Sequence, residues 1–154
     1  MRILFVCMGN ICRSPTAEGV MRSLLREQGL EDEIEVDSAG TGGWHAGDPP
    51  DSRATAAAAR RGIDLDGAAR QVTQADFDRF DLLVAMDCEN LRHLRAIAPD
   101  SRAWEKARLL REFDPRAGGD LDVPDPYYGG ADGFDQVLDL VEAACRGLLD
   151  EVRA

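Results

Sequence analysis

The junction between residues 3 and 15 constrains the fold of this chain more than any other feature. Ile3-Leu4-Phe5-Val6 is an unbroken apolar run, residues 7–13 follow with Gly9 and Asn10 where a turn needs them, and a helical pattern begins at Ser14-Pro15. A continuous apolar run of this length reads as a central strand covered on both faces. Ser14 is placed to cap the next helix, and Pro15 suits its first turn. Ala17, Val20, Met21, Leu24 and Leu25 recur at helical spacing until Gly29 stops the pattern. Strand, loop and helix therefore follow one another with nothing in between.

The rest of the chain repeats that alternation. Residues 34–38 alternate as a second strand, and residues 39–50 form a glycine-rich loop carrying Trp44. Asp51 or Ser52 caps a helix through the alanines at 56–59. A short helical turn is expected at 74–79, a third strand at 81–87, a helix at 88–98 and a weaker fourth strand at 106–110. Residues 113–133 are rich in Asp, Gly and Pro and lack periodicity, and a loop of such length is usually functional or disordered. Phe134, Val137, Leu138, Val141, Cys145, Leu148, Leu149 and Val152 then mark a strongly amphipathic helix. Strands alternating with helices predict a parallel α/β sheet with right-handed crossovers, the first strand central and the loop after it at the sheet's carboxyl edge. With 154 residues and no repeat or linker, residues 1–154 form one domain.

Composition excludes several roles. A formal charge of -11 argues against nucleic acid, which needs basic surface to neutralise phosphates. No apolar run reaches membrane-spanning length and no signal-peptide pattern is present, so the expected location is cytoplasmic. Cys7, Cys12, Cys88 and Cys145 are too few and scattered for a secreted disulfide scaffold, and with only His45 and His93 they offer no zinc-ligand spacing.

A loop between strand and helix aims backbone N–H groups at one point and adds the positive end of the helix dipole. It is an anion cradle. A thiol at its first position, Cys7, and a guanidinium six residues later, Arg13, would close round a tetrahedral dianion, with the Arg13 fork on two equatorial oxygens. A free thiol has a pKa of about 8.5, so a nucleophile mostly ionised near pH 6 needs roughly 3 kcal/mol of help. A helix terminus supplies ~0.3–1 kcal/mol, at best ~2. Loop amides, the Ser14 hydroxyl and the Arg13 charge have to add the remainder, so the chemistry needs the whole constellation.

Val6-Cys7-Met8-Gly9-Asn10-Ile11-Cys12-Arg13-Ser14-Pro15 resembles the phosphate loop of the low-molecular-weight protein tyrosine phosphatases, and Asp125-Pro126-Tyr127-Tyr128 resembles that family's late acid segment. The resemblance implies a flavodoxin-like sheet of order 2-1-3-4 and hydrolysis of phosphotyrosine and aryl phosphates without a cofactor or metal. It assigns Cys7 as nucleophile, Arg13 as phosphate clamp and Asp125 as general acid, with Met8, Gly9, Asn10, Ile11, Cys12 and Ser14 binding phosphate. Trp44, Tyr127 and Tyr128 would line a cleft deep enough for phosphotyrosine and too deep for phosphoserine, although a loop Trp also packs as a lid over local core. Phosphotyrosine-containing proteins are the expected partners, and phosphate, vanadate or similar oxyanions the expected ligands.

From the residues alone, Asp125 is one of several aspartates in the late loop, distinguished by the flanking Pro124 and Pro126 that stiffen it. An ordinary Asp is only ~0.1% protonated at pH 7, so a general acid of this kind depends on burial and a bound dianion and gives an acidic optimum. Cys12 is either a resolving thiol that traps oxidised Cys7 as a disulfide or a small packing residue. The family usually carries a His where this chain has Gly67, which leaves open how Asn10 is tethered. Thioredoxin-coupled arsenate reductases share the loop but need a further cysteine pair, and Cys88 has no neighbouring Cys. Protein-arginine phosphatases carry Thr in place of Ile11. A phosphopeptide-binding module that does no chemistry would have lost Cys7, Arg13 or Asp125.

Overall fold

The computed structural model of the chain describes every residue except Tyr128, Ala131 and Ala154. Its elements in order are β1 (Arg2–Cys7), α1 (Arg13–Glu27), β2 (Glu35–Gly40), α2 (Ser52–Ala59), α3 (Asp76–Arg79), β3 (Leu82–Ala85), α4 (Cys88–Ile97), α5 (Ser101–Glu105), β4 (Ala107–Leu109), a 3-10 turn at Leu110–Phe113 and α6 (Asp132–Arg153). Among the described residues the strands form one parallel sheet in the order β2-β1-β3-β4. The expected order 2-1-3-4 is present, with β1 in the interior.

Side chains of β1 alternate between two cores. Ile3, Phe5 and Cys7 face one with Met21 and Leu25 of α1 and Leu138 and Leu148 of α6. Leu4 and Val6 face the other with Phe77, Phe80, Leu83 and Leu94. Each fully buried Leu, Ile, Val or Phe contributes about 1.5–3 kcal/mol. The strand that delivers Cys7 is therefore fixed from both sides. The ends of β1 and β3 lie side by side, with Val6 opposite Ala85. The loop after β1 and the turn after β3 consequently meet at one edge of the sheet.

Two local features differ from the reading of the sequence. Cys12 occupies the N-cap position of α1 and no side chain caps that helix, so Ser14 does not serve as its cap. Its hydroxyl, which is fully buried, is engaged by the loop instead. Helix α5 carries no signal in the sequence because five residues are too short for periodicity; Asp100 caps it by accepting from Ala103 N–H at 2.8 Å. Among the described residues, no helix is long and apolar enough to cross a membrane.

Candidate active site

β1 ends at Cys7 and α1 begins at Arg13, so residues 8–12 have to turn the chain back within five positions. Asn10 makes the turn in left-handed geometry, at φ 58°. The loop carbonyls are bound outward: Thr41 N–H donates to Cys7 at 2.8 Å, Gly42 N–H to Met8 at 3.0 Å, Asp51 N–H to Ile11 at 2.8 Å and Thr16 N–H to Cys12 at 3.2 Å. In a trans peptide the N–H points opposite to the carbonyl. The N–H groups of Met8, Gly9, Cys12 and Arg13 are therefore turned the other way, into the loop. Gly40 permits this closeness, because a Cβ there would lie 2.7 Å from the Met8 carbonyl oxygen.

Cys7 is 3% exposed, and its Sγ lies 3.0 Å from Ser14 Oγ and 3.3 Å from the Asn10 N–H. Behind the sulfur runs a buried polar chain. Asn10 Nδ2 donates to Ser14 Oγ at 2.8 Å and to Ser38 Oγ at 3.0 Å, Ser38 Oγ donates to Glu18 Oε1 at 2.7 Å, and Asn10 Oδ1 accepts from Arg70 N–H at 3.0 Å. Asn10 is thus tethered by Ser14, Ser38 and the backbone of residue 70. Gly67 borders an opening of about 140 Å³ that Asn10, Glu18 and Ser38 also line. Burial raises Glu18 above the usual carboxylate range, partly offset by the Ser38 hydroxyl and Arg22.

Arg13 is 3% exposed. Its Nη1 donates to Asp87 Oδ2 at 2.6 Å and to the Val123 carbonyl at 2.9 Å, and Nη2 stands 3.8 Å from Asp125 Oδ2. Burial works against the guanidinium charge, but Cys7, Asp87 and Asp125 outweigh it and raise the Arg13 pKa further. Asp87 has two tasks: its Oδ1 also caps α4 by accepting from Asn90 N–H at 2.7 Å. Asp125 Oδ1 accepts from Tyr127 N–H at 3.0 Å, which fixes the carboxylate in the turn.

Cys7, Met8, Gly9, Ile11, Cys12, Arg13, His45, Asp125 and Tyr127 line one pocket of about 60 Å³. It accepts only a few heavy atoms, such as a tetrahedral oxyanion. The ring of His45 lies over Gly9 and faces that of Tyr127 with centroids 6.4 Å apart, its Nδ1 3.2 Å from Asp48 Oδ2. Trp44 instead lies against Gly42 and is 73% exposed, so the wall on this side is built by its neighbour. Tyr128 falls outside the described residues. The Cys12 thiol is pushed up to about 12 by burial and then by Asp51, Cys7 and Asp125, which keeps it protonated at neutral pH. A larger cleft, about 590 Å³, opens around Arg2, Leu25 and Phe80 at the other end of β1. Arg2, at its rim, is ~17 Å along β1 from Cys7 at ~3.3 Å per strand residue, and the cleft's lining holds no Cys or Ser.

Cys7, Arg13 and Asp125, expected at the site from the sequence, line one pocket, and the reading of the sequence misses four residues around them. Asp87 is read only as the end of the third strand and Ser38 as the end of the second, Glu18 carries no reading of its own, and His45 is read only for its zinc potential. The i, i+4 spacing of Ser14 and Glu18 on one helix face was the one available signal.

The model of the family described as "Low molecular weight phosphotyrosine protein phosphatase" matches residues 2–154. A low molecular weight protein-tyrosine-phosphatase of Streptomyces coelicolor is 58% identical over 153 residues, covering 99% of this chain and 93% of that protein. The human low molecular weight phosphotyrosine protein phosphatase is 41% identical over 150 residues, covering 97% and 94%. A crystal structure of a protein tyrosine phosphatase from Entamoeba histolytica, with Hepes in its active site, superposes with a TM-score of 0.95 at 39% identity and covers 99% of this chain and 97% of that one.

Proposed function

Since the chain belongs to the low molecular weight phosphotyrosine protein phosphatase family, we propose that it hydrolyses phosphotyrosine in proteins, and aryl phosphates generally, through a phosphoryl group carried on Cys7. The observation that supports this reading is the convergence of Cys7, Arg13 and Asp125 on one small pocket. In the first step the Cys7 thiolate forms an S–P bond while the ester P–O bond breaks, and Asp125 gives its proton to the departing tyrosyl oxygen. In the second, water forms an O–P bond, the S–P bond breaks and the electron pair returns to sulfur. Asp125, now a carboxylate, takes the water's proton.

Arg13 and the inward N–H groups match the oxygens of the transferring group in both steps, which is positioning and electrostatics. Ser14 Oγ, 3.0 Å from Cys7 Sγ, stabilises the sulfur when it carries charge. A phenolate leaving group with pKa near ~10 makes the Asp125 proton matter. The aromatic walls Tyr127 and His45 set the depth at which a phosphorylated ring reaches Cys7, with Trp44 meeting the surrounding peptide. Phosphate and vanadate compete for the same cradle. Residues 1–154 act as one domain in the cytoplasm, a reading favoured by four free cysteines.

The test is turnover of phenyl phosphate and 4-nitrophenyl phosphate by wild type, Cys7→Ser and Asp125→Ala. Cys7→Ser should be inactive. Asp125→Ala should be slowed strongly on phenyl phosphate and less on the ester of the more acidic 4-nitrophenol. Wild type should show a bell-shaped profile peaking below pH 7, and a flat profile from pH 5 to 9 would count against the acid.

A further inference from the structure

Arg53, near the start of α2, is the second residue after Asp51, and its side chain spans from the phosphate loop to the acid loop. Asp51 N–H donates to the Ile11 carbonyl at 2.8 Å, so the start of α2 is tied to the phosphate loop. The Asp51 carboxylate receives Arg53 Nε and Nη2, both at 3.1 Å, and accepts its backbone N–H at 2.8 Å. On the other side, Arg53 Nη1 donates to the Tyr127 carbonyl at 3.2 Å. The guanidinium carbon lies 5.2 Å from the Tyr127 ring centroid and 4.9 Å from that of Phe134, which is 4% exposed and belongs to α6. Tyr127 N–H in turn holds Asp125 Oδ1.

These contacts make a continuous strut, Ile11 to Asp51 to Arg53 to Tyr127 to Asp125. We propose that Arg53 is a positioning residue for the reaction: it sets the height of the acid loop over the phosphate loop and so the distance at which Asp125 meets the leaving oxygen. The inference rests on the role proposed above for Asp125. Its physical basis is the planar fork of Arg, which holds a carboxylate and a carbonyl at once while its face stacks on aromatic rings. Lys offers neither the fork nor the face. The side chain is 46% exposed, so shortening it empties no core.

The experiment measures kcat/KM for phenyl and 4-nitrophenyl phosphate with wild type, Arg53→Ala, Arg53→Lys, Asp125→Ala and the Arg53→Ala/Asp125→Ala double variant, with thermal unfolding of each. Arg53→Ala should lose about 10- to 100-fold on phenyl phosphate, the scale of a small misplacement of a reacting group, and several-fold less on 4-nitrophenyl phosphate. Arg53→Lys should recover only part of that loss. In the Asp125→Ala background, Arg53→Ala should change nothing further. Equal losses on both esters, or losses that add to those of Asp125→Ala, would overturn the role of Arg53 while leaving the acid in place. If Asp125→Ala itself slows both esters alike, the acid assignment fails, and the strut's purpose with it.

Discussion

Arg13 donates to Asp87 across 2.6 Å, joining the first residue of α1 to the residue that caps α4. The pair explains why a buried guanidinium can serve as a clamp. One nitrogen is spent on Asp87 and the Val123 carbonyl, and the fork is thereby oriented with its other nitrogen toward Asp125 and the pocket. An Arg without such an anchor would lose its aim and would leave charge buried without a partner.

Asp87→Asn separates the two tasks of that carboxylate. Asn caps a helix as well as Asp, so α4 should keep its stability. The charged bond to Arg13 is lost, and kcat/KM for an aryl phosphate should fall by about 10- to 100-fold, the equivalent of ~1.5–3 kcal/mol. Steady-state kinetics beside urea unfolding checks this, and unchanged activity would remove Asp87 from the account.

His45 and Trp44 are neighbours with different surroundings. His45→Ala removes a pocket wall and should raise KM for 4-nitrophenyl phosphate by about 3- to 10-fold, the scale of one aromatic contact. Trp44→Ala should leave KM for the same ester within about 2-fold, given how exposed the indole is. The reverse ranking would mean that the indole closes onto the ligand.

Glu18 predicts a pH dependence of stability. Its pKa in the fold is raised by burial, so the folded state holds this proton more tightly than the unfolded chain does. The contribution is most favourable below the unfolded carboxyl value near ~4.3 and is lost as pH rises through the folded value. Glu18→Gln imitates the protonated form. Its stability relative to wild type should therefore improve from pH 4 to pH 7 in urea titrations, and a difference constant across that range contradicts the sign.

Cys12, held as a thiol, should resist alkylation at pH 7 while iodoacetate modifies Cys7, with phosphate protecting. After mild peroxide, peptide mass spectrometry should find the two joined as a disulfide. Cys7 sulfonic acid beside free Cys12 would rule out the trap.

Much of this architecture was legible because its signals are local. The apolar run at 3–6, the helical spacing after Ser14 and the stripe from Phe134 to Leu149 each reflect a periodicity that the fold preserves. Cys7 and Arg13 lie on one loop, so their meeting follows from spacing. Asp87, 74 residues from Arg13, meets it only because β3 pairs with β1, and no pattern around residue 87 announces that contact. Ser14 reads as a helix cap, but the hydroxyl that suits a cap also suits a buried sulfur, and here it meets Cys7. Trp44 and His45 were indistinguishable in a glycine-rich loop, where packing of the indole on Gly42 decides which of the two faces the pocket. Arg53 carries no signal of its own in the sequence, since its stacking partners Tyr127 and Phe134 come from later segments.

The most direct test of the account is to look for phosphorus on sulfur. Wild type and Asp125→Ala are mixed rapidly with an aryl phosphate, quenched, digested and read by mass spectrometry at the Cys7 peptide. The account predicts a phosphoryl adduct on Cys7 in both, in amounts set by how fast each variant forms and hydrolyses it, and none in Cys7→Ser. Substrate turnover by wild type with Cys7 never phosphorylated would contradict it.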